Sequence, residues 1–405
     1  MKPQNERRVL VVYTGGTIGM TYQNSEVRTG LISDSMVNLK TNTPELNNLP
    51  YNVDWKEMKT LDESTGEMVF IDFSNAHHST FNQIAAIIKE AYDEYDGFVV
   101  VYGTDTMAWL GGCLSYMLEG LNKPIVCTGS MEPTCDRERQ KTKGEIEKYR
   151  ITKENDKFGS DGPRNLIDSI HLAAKAGNEI PQIPEVVCCF YGRIIRGNTL
   201  KKYSSHDRDA FRTLSMTQIG SVRHGGENEI DVEKNGLPPV FTSECQISMS
   251  SVAPLPVRNT DLVVHKINPG INIAEYEVCS MLSEKGRLAA IGEADAIILH
   301  SVPTEPIEFN NHFIRPIEDI RKGRPIFYLG DNPPIKDWIS VKASSLAQAK
   351  IKVEYILSRT RDPNEIKLLA EGNLRGENDR EFAYEEDVIR ESEHHNELTS
   401  GQKRK

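Results

Sequence analysis

Two threonines stand at the ends of short apolar runs, each directly after a glycine. Val9 to Tyr13 leads into Thr14-Gly15-Gly16-Thr17-Ile18-Gly19-Met20, and Phe98 to Tyr102 leads into Gly103-Thr104-Asp105-Thr106-Met107. Glycine at a strand's carboxyl end permits a tight turn and lets a ligand approach the backbone. A hydroxyl placed there faces the edge at which open α/β sheets bind ligands. The chemistry such a pair supports is nucleophilic, because a threonine hydroxyl attacks an electrophilic carbon once a base takes its proton. Lysine can serve as that base, and a carboxylate can orient it. Lys201-Lys202 follows Arg196-Gly197-Asn198 beyond a third apolar run, and Asp105 adjoins Thr104. Each motif alone also has a structural alternative. Thr17, Thr104 and Asp105 suit turn or N-cap positions, and a lysine pair suits a solvated turn. Two Gly-Thr strand ends in one region carry more weight than either. A dinucleotide fingerprint is a poor match, since the spacing is GGxxG rather than GxGxxG.

These groups need strands and helices to hold them. Strands are predicted at Val9–Tyr13, Met68–Ile71, Phe98–Tyr102, Pro124–Cys127 and Val186–Tyr191, nearly continuous apolar runs of the kind covered on both faces of a parallel sheet. Phe81, Ile84, Ala85, Ile88 and Tyr92 share one helical face, and Thr106 to Leu118 and Arg164 to Ala176 also read as helices. Such alternation implies an α/β fold. From Val222 to Asn259 the chain carries Gly225-Gly226, Pro238-Pro239, Pro254 and Pro256 without a helical period, which reads as a linker. A second series follows: strand Leu262–Ile267, helix Ile273–Leu282, strand Ala296–His300, helix Phe313–Ile320, strand Pro325–Tyr328 and a late helix face of Leu346, Ala349, Val353, Ile356 and Leu357. The expected organisation is a larger N-terminal catalytic domain over residues 1–222, a linker over 223–260, a smaller C-terminal α/β domain over 261–378 and a charged tail over 379–405. Thr134 to Lys157, rich in charge and poor in apolar residues, reads as a long surface loop.

Composition narrows the partners. Lys+Arg is 48 and Asp+Glu is 59 in 405 residues, a formal net charge of -11, which argues against nucleic acid as the main partner. No apolar run reaches membrane length, so no membrane partner and a cytoplasmic location are expected. The 7 cysteines are odd in number and form no CxxC pair, so neither a zinc site nor a disulfide framework is supported. No metal is expected.

The two Gly-Thr motifs, taken in order, resemble the signature motifs of the asparaginase/glutaminase family, in its type I, cytosolic form. Leu114-Ser115-Tyr116-Met117-Leu118-Glu119, Lys123-Pro124, Thr128-Gly129-Ser130, Ser160-Asp161-Gly162 with Asn165-Leu166, Arg196-Gly197-Asn198, Pro269-Gly270-Ile271 and Asn373-Leu374-Arg375-Gly376-Glu377 extend the resemblance over about residues 8 to 377. It implies a two-domain asparaginase-like fold. It implies Thr17 as nucleophile and Thr104, Asp105 and Lys202 as a second catalytic cluster. Gly16, Ser74, Asn75, Gly103, Thr104, Asp105 and Ser130 are implied substrate contacts. The implied reaction is hydrolysis of L-asparagine to L-aspartate and ammonia through a threonine acyl-enzyme, with no cofactor, in a homodimer or homotetramer. Departures are visible. Tyr102 stands where many relatives have His, Asn75 where many have Asp, and the 134–157 segment is long. The chain between Asn332 and Ala343 is short for the type. Two other readings stand beside this one: an amidohydrolase preferring glutamine or another amide, and a non-catalytic relative that binds amino acids or partners.

Overall fold

A computed structural model describes residues 2–23, 26–28, 35–61, 68–69, 78–134, 160–213, 218–224, 245–250, 255–257, 261–278, 294–301, 323–330, 333 and 335–377. The chain divides into two compact units, Met1–Val264 and His265–Lys405. The fold is α/β in both.

The first unit is built on an 8-stranded sheet. Its strands are β1 (Arg8–Tyr13), β2 (Asn52–Glu57), β3 (Gly97–Val101), β4 (Ile125–Thr128), β5 (Val186–Phe190), β6 (Arg193–Arg196), β7 (Gly220–His224) and β8 (Cys245–Met249). They lie in the order β8-β7-β6-β5-β4-β3-β1-β2. Pairing is parallel from β2 to β5 and antiparallel from β5 to β8. The apolar runs are continuous because both faces are covered. Val9, Val11, Tyr13, Val99, Val101, Val126, Val187 and Cys189 pack with Leu166, Ile170 and Ala173 of helix α3 (Gly162–Lys175). The alternate residues Leu10, Val12, Phe98, Val100, Cys127 and Cys188 are equally buried. On that face Cys188 Sγ lies 3.6 Å from Met107 Sδ, at the start of helix α2 (Met107–Met117). Helix α1 (His78–Ala91) buries Phe81, Ile84, Ala85 and Ile88, the residues whose spacing marked its inner face.

Three expected elements of the first unit differ. Met68–Val69 pairs with Thr60–Leu61 in a small ribbon rather than joining the large sheet. Val263–Val264 pairs with Leu118–Glu119 inside the first unit. The expected linker contains β8, whose Cys245 is buried while Gln246 and Ser248 face outward, an alternation that suits a sheet edge. Cys113, Cys127, Cys188, Cys189 and Cys245 are buried free thiols. No helix among the described residues is long and apolar enough to cross a membrane.

The second unit holds a 4-stranded sheet in sequential order, β9 (Ile273–Val278), β10 (Ala296–Ser301), β11 (Ile326–Leu329) and β12 (Ile339–Val341), parallel throughout. Ile273 to Val278 is therefore a strand, not the start of a helix. Short apolar segments satisfy either period, and here pairing with β10 decides the outcome. The expected helix Phe313–Ile320, most of the 134–157 loop and the 379–405 tail lie outside the described residues. Helices α4 (Leu346–Arg359) and α5 (Pro363–Glu371) close the unit. Ser345 caps α4 through Gln348 N–H, and Asp362 caps α5 through Asn364 and Glu365 N–H.

One charged pair lies inside this unit. Lys352 Nζ donates to Glu377 Oε1 at 2.5 Å, to Gly372 O at 2.6 Å and to Lys342 O at 3.0 Å. Glu377 in turn accepts from Leu374 N and Arg375 N. Burial lowers the Lys352 amine, and Glu377 opposes that shift. Both side chains are 0% exposed, so removing one charge strands the other. Lys352→Met is expected to cost about 3–5 kcal/mol in urea denaturation. An unchanged midpoint would contradict the pair's burial.

Candidate active site at the carboxyl edge of the large sheet

Strand order reverses between β1 and β3, since β1 continues outward to β2 while β3 continues the other way to β4. The carboxyl ends beside such a reversal form the crevice of an open α/β sheet. The two Gly-Thr motifs leave these two strands. Thr14 binds the ends together: its N–H and its hydroxyl both donate to Val101 O, at 3.2 and 2.8 Å. Gly16 then adopts φ 106, a conformation open to glycine. A Cβ on it would stand 3.1 Å from Gly103 N and 3.2 Å from Gly103 Cα. The loops meet backbone to backbone, with half-buried Thr17 following immediately.

Lys202 arrives from another direction. Strand Leu200–Lys202 pairs with Phe211–Thr213, Lys202 opposite Phe211. Phe211 is buried edge-on against Phe190 of β5, with ring centroids 4.9 Å apart. The turn before the hairpin presses on α2, since a Cβ on Gly197 would fall 2.7 Å from Gly111 O. Helix α2 begins directly after Thr104-Asp105-Thr106, so this contact sets the lysine against that segment. Lys202 Nζ donates to Thr104 Oγ1 at 2.9 Å and to Asp105 Oδ1 at 2.7 Å. Thr104 is buried, whereas the Asp105 side chain is 77% exposed and that of Lys202 16%. An ion pair so open to water adds about 0.2–1 kcal/mol to stability at most. The arrangement instead aligns an amine, a hydroxyl and a solvent-facing carboxylate, which is suited to proton transfer and to gripping a cation.

The loop after β4 forms the next wall. Thr128 Oγ1 donates to Cys189 O at 2.9 Å, and Asn165 Nδ2 donates to Gly129 O at 3.0 Å. Ser130 is buried and its hydroxyl donates to Glu132 O at 2.6 Å. Asp161, before α3, accepts from Met131 N, Glu132 N and Asn165 Nδ2. Burial pushes its carboxyl up to about 7, and the Met131 and Glu132 N–H groups oppose that shift. Thr134 N donates to Ile18 O at 3.2 Å, linking this loop to the residue after Thr17.

Gly16, Thr17, Gly103, Thr104, Asp105, Ser130 and Lys202 thus gather at one edge of one sheet. Ser74 and Asn75 lie outside the described residues. Asp161 and Asn165 act as supports for the Ser130 loop. Their motif was legible in the sequence, but this role was not. Among the described residues, no group of three His, Cys, Asp or Glu could hold a metal ion.

Comparison with known proteins bears on this geometry. The family described as Asparaginase, N-terminal, matches residues 8–143 and 153–235, more than half of the chain. The chain belongs to the asparaginase family. It is 31% identical to "L-asparaginase 1" of Escherichia coli K12 over 264 residues, 65% of this chain and 61% of that protein. It therefore spans under two thirds of that relative's length. It is 30% identical to the "60 kDa lysophospholipase" of Mus musculus over 230 residues, 54% of this chain and 36% of that protein. The crystal structure of L-asparaginase I from Vibrio cholerae superposes with a TM-score of 0.70 at 23% identity, covering 93% of this chain and 100% of that one. That likeness shows an asparaginase-like fold with a larger, mainly parallel sheet and a smaller second sheet.

At this asparaginase-family edge, Gly16 resists replacement on two counts, its positive φ and its contact with Gly103. Gly16→Ala is expected to cost about 1–3 kcal/mol, from its positive φ and the contact with Gly103. Urea denaturation reads the loss. A midpoint equal to wild type would show that the two loops can separate freely.

Proposed function

We propose that the chain is an amidohydrolase acting on L-asparagine, yielding L-aspartate and ammonia through an acyl-threonine intermediate. The observation that carries this reading is the Lys202 amine shared between Thr104 and Asp105 beside the Gly16-Thr17 loop. Family membership and the relative named L-asparaginase 1 support it.

In this mechanism Thr17 Oγ attacks the side-chain amide carbon. Backbone N–H groups at the glycine-rich strand ends stabilise the oxyanion. The Thr104–Lys202 pair moves the nucleophile's proton to the departing nitrogen, and the C–N bond breaks to release ammonia. Water then adds to the acyl carbon, aspartate leaves, and Thr17 regains its proton. Asp105, open to solvent, takes the substrate's α-ammonium, while Ser74 and Asn75 hold its α-carboxylate. No cofactor enters the balance. The same reading gives a cytoplasmic homodimer or homotetramer.

Ammonia release from L-asparagine is the direct assay. Lys202→Met is expected to lower kcat by about 10²–10⁴-fold, the usual contribution of a proton-transfer group. Thr17→Ala is expected to remove turnover and acyl-enzyme alike, the latter read by mass spectrometry after rapid quenching. Wild-type turnover no faster than that of Thr17→Ala would end the proposal. Glutamine in the same assay tests the amide preferred, and sedimentation velocity tests the oligomer.

A further inference from the structure

The segment from Tyr203 to Ala210 connects the Lys202 strand to its return strand. It is braced from within. Tyr203 N donates to Ala210 O at 2.7 Å, and Ser204 Oγ accepts from His206 N and Asp207 N. Its far end is braced to the sheet, because Asp209 accepts two bonds from Arg193 at 2.9 and 3.0 Å and pairs with Arg212. One side chain of the segment crosses to a different loop. Arg208 Nη2 donates to Glu132 Oε2 at 2.7 Å, across 76 positions of sequence.

Glu132 is a node in the wall opposite. Its N–H donates to Asp161, and its C=O accepts from Ser130 Oγ and Ser160 Oγ. Two residues on, Thr134 N holds Ile18 O, next to Thr17. A line of direct bonds therefore runs from the Lys202 hairpin through Arg208 and Glu132 to the Ser130 loop and the Thr17 loop. The pair is partly exposed, at 24% and 33%, so its contribution to stability is small. Its geometric effect is larger, since a 1 Å misplacement of a catalytic group can cost about a hundredfold in rate.

We propose that Arg208 and Glu132 are positioning residues: their ion pair clamps the Lys202 hairpin to the Ser130 loop and so fixes Lys202 relative to Thr17. This rests on the amidohydrolase reading. Arg208→Gln and Glu132→Gln are each expected to lower kcat roughly tenfold while leaving KM within about threefold. Both should melt close to wild type. The charge-swapped double variant, Arg208→Glu with Glu132→Arg, is expected to restore most of the lost kcat, which it would not do if either side chain acted alone; a merely structural role would instead lower the melting temperature of the single variants. Amide hydrogen exchange over residues 203–210 and 130–134 is measured alongside and should quicken in each single variant and recover in the swap. Single variants with wild-type kcat, or a swap with no recovery, overturn the proposal. So does unchanged exchange, whatever the activity. A wild type that releases no ammonia overturns the amidohydrolase reading and the catalytic role with it, while exchange still reads whether the clamp exists.

Discussion

The candidate site depends on backbones that approach more closely than side chains allow. Gly16 against Gly103 brings the ends of β1 and β3 together, and Gly197 against Gly111 seats the Lys202 hairpin on α2. Neither contact involves a functional side chain. Each removes a Cβ that would otherwise hold two segments apart, and the hydroxyls and the amine then fall within reach. The large sheet makes this possible because parallel pairing from β2 to β5 brings successive loops out at a common edge. The apolar strands are the scaffold, and the glycines set the spacing.

Much of this edge was legible in the sequence, for a physical reason. Strands buried on both faces must be apolar without interruption, so Val9 to Tyr13 and Phe98 to Val101 announce themselves, and the groups that follow them are placed by implication. Edge and antiparallel strands carry less signal. Asn52–Glu57 pairs along β1 with polar residues at every second position, so no apolar run marks it. Arg193–Arg196 has two apolar residues between arginines and takes its form from the turn at Tyr191-Gly192, both at positive φ. Ile273–Val278 reads as a helix start until its partner strand is known. Pairing is a property of two segments, and a reading along one chain sees only one.

The polar links were hidden more deeply. Glu132 and Arg208 are 76 residues apart, and nothing in either neighbourhood names the other. Lys352 and Glu377 meet across α4, α5 and the turn that follows, and form a buried pair that no charge pattern along the helix discloses. The two pairs differ in kind. The buried pair has three carbonyl or carboxylate acceptors on its amine and holds its unit together, since loss of either charge leaves the other desolvated. The half-exposed pair is cheap to lose thermodynamically, and its importance lies in where it keeps a loop.

The pairing of Lys202 with Phe211 has a consequence for how this chain can vary. Adjacent residues of a strand face opposite ways, so Lys201, opposite Arg212 and exposed, is the mirror of Lys202. A slip of one position would present the wrong lysine to Thr104 and turn Phe211 away from Phe190. The eight residues from 203 to 210 look like an ordinary surface connection, where changes of length are usually absorbed. Here their number acts as a ruler. Apart from Arg208 and Asp209, which hold the connection in place, its side chains can change far more readily than its length.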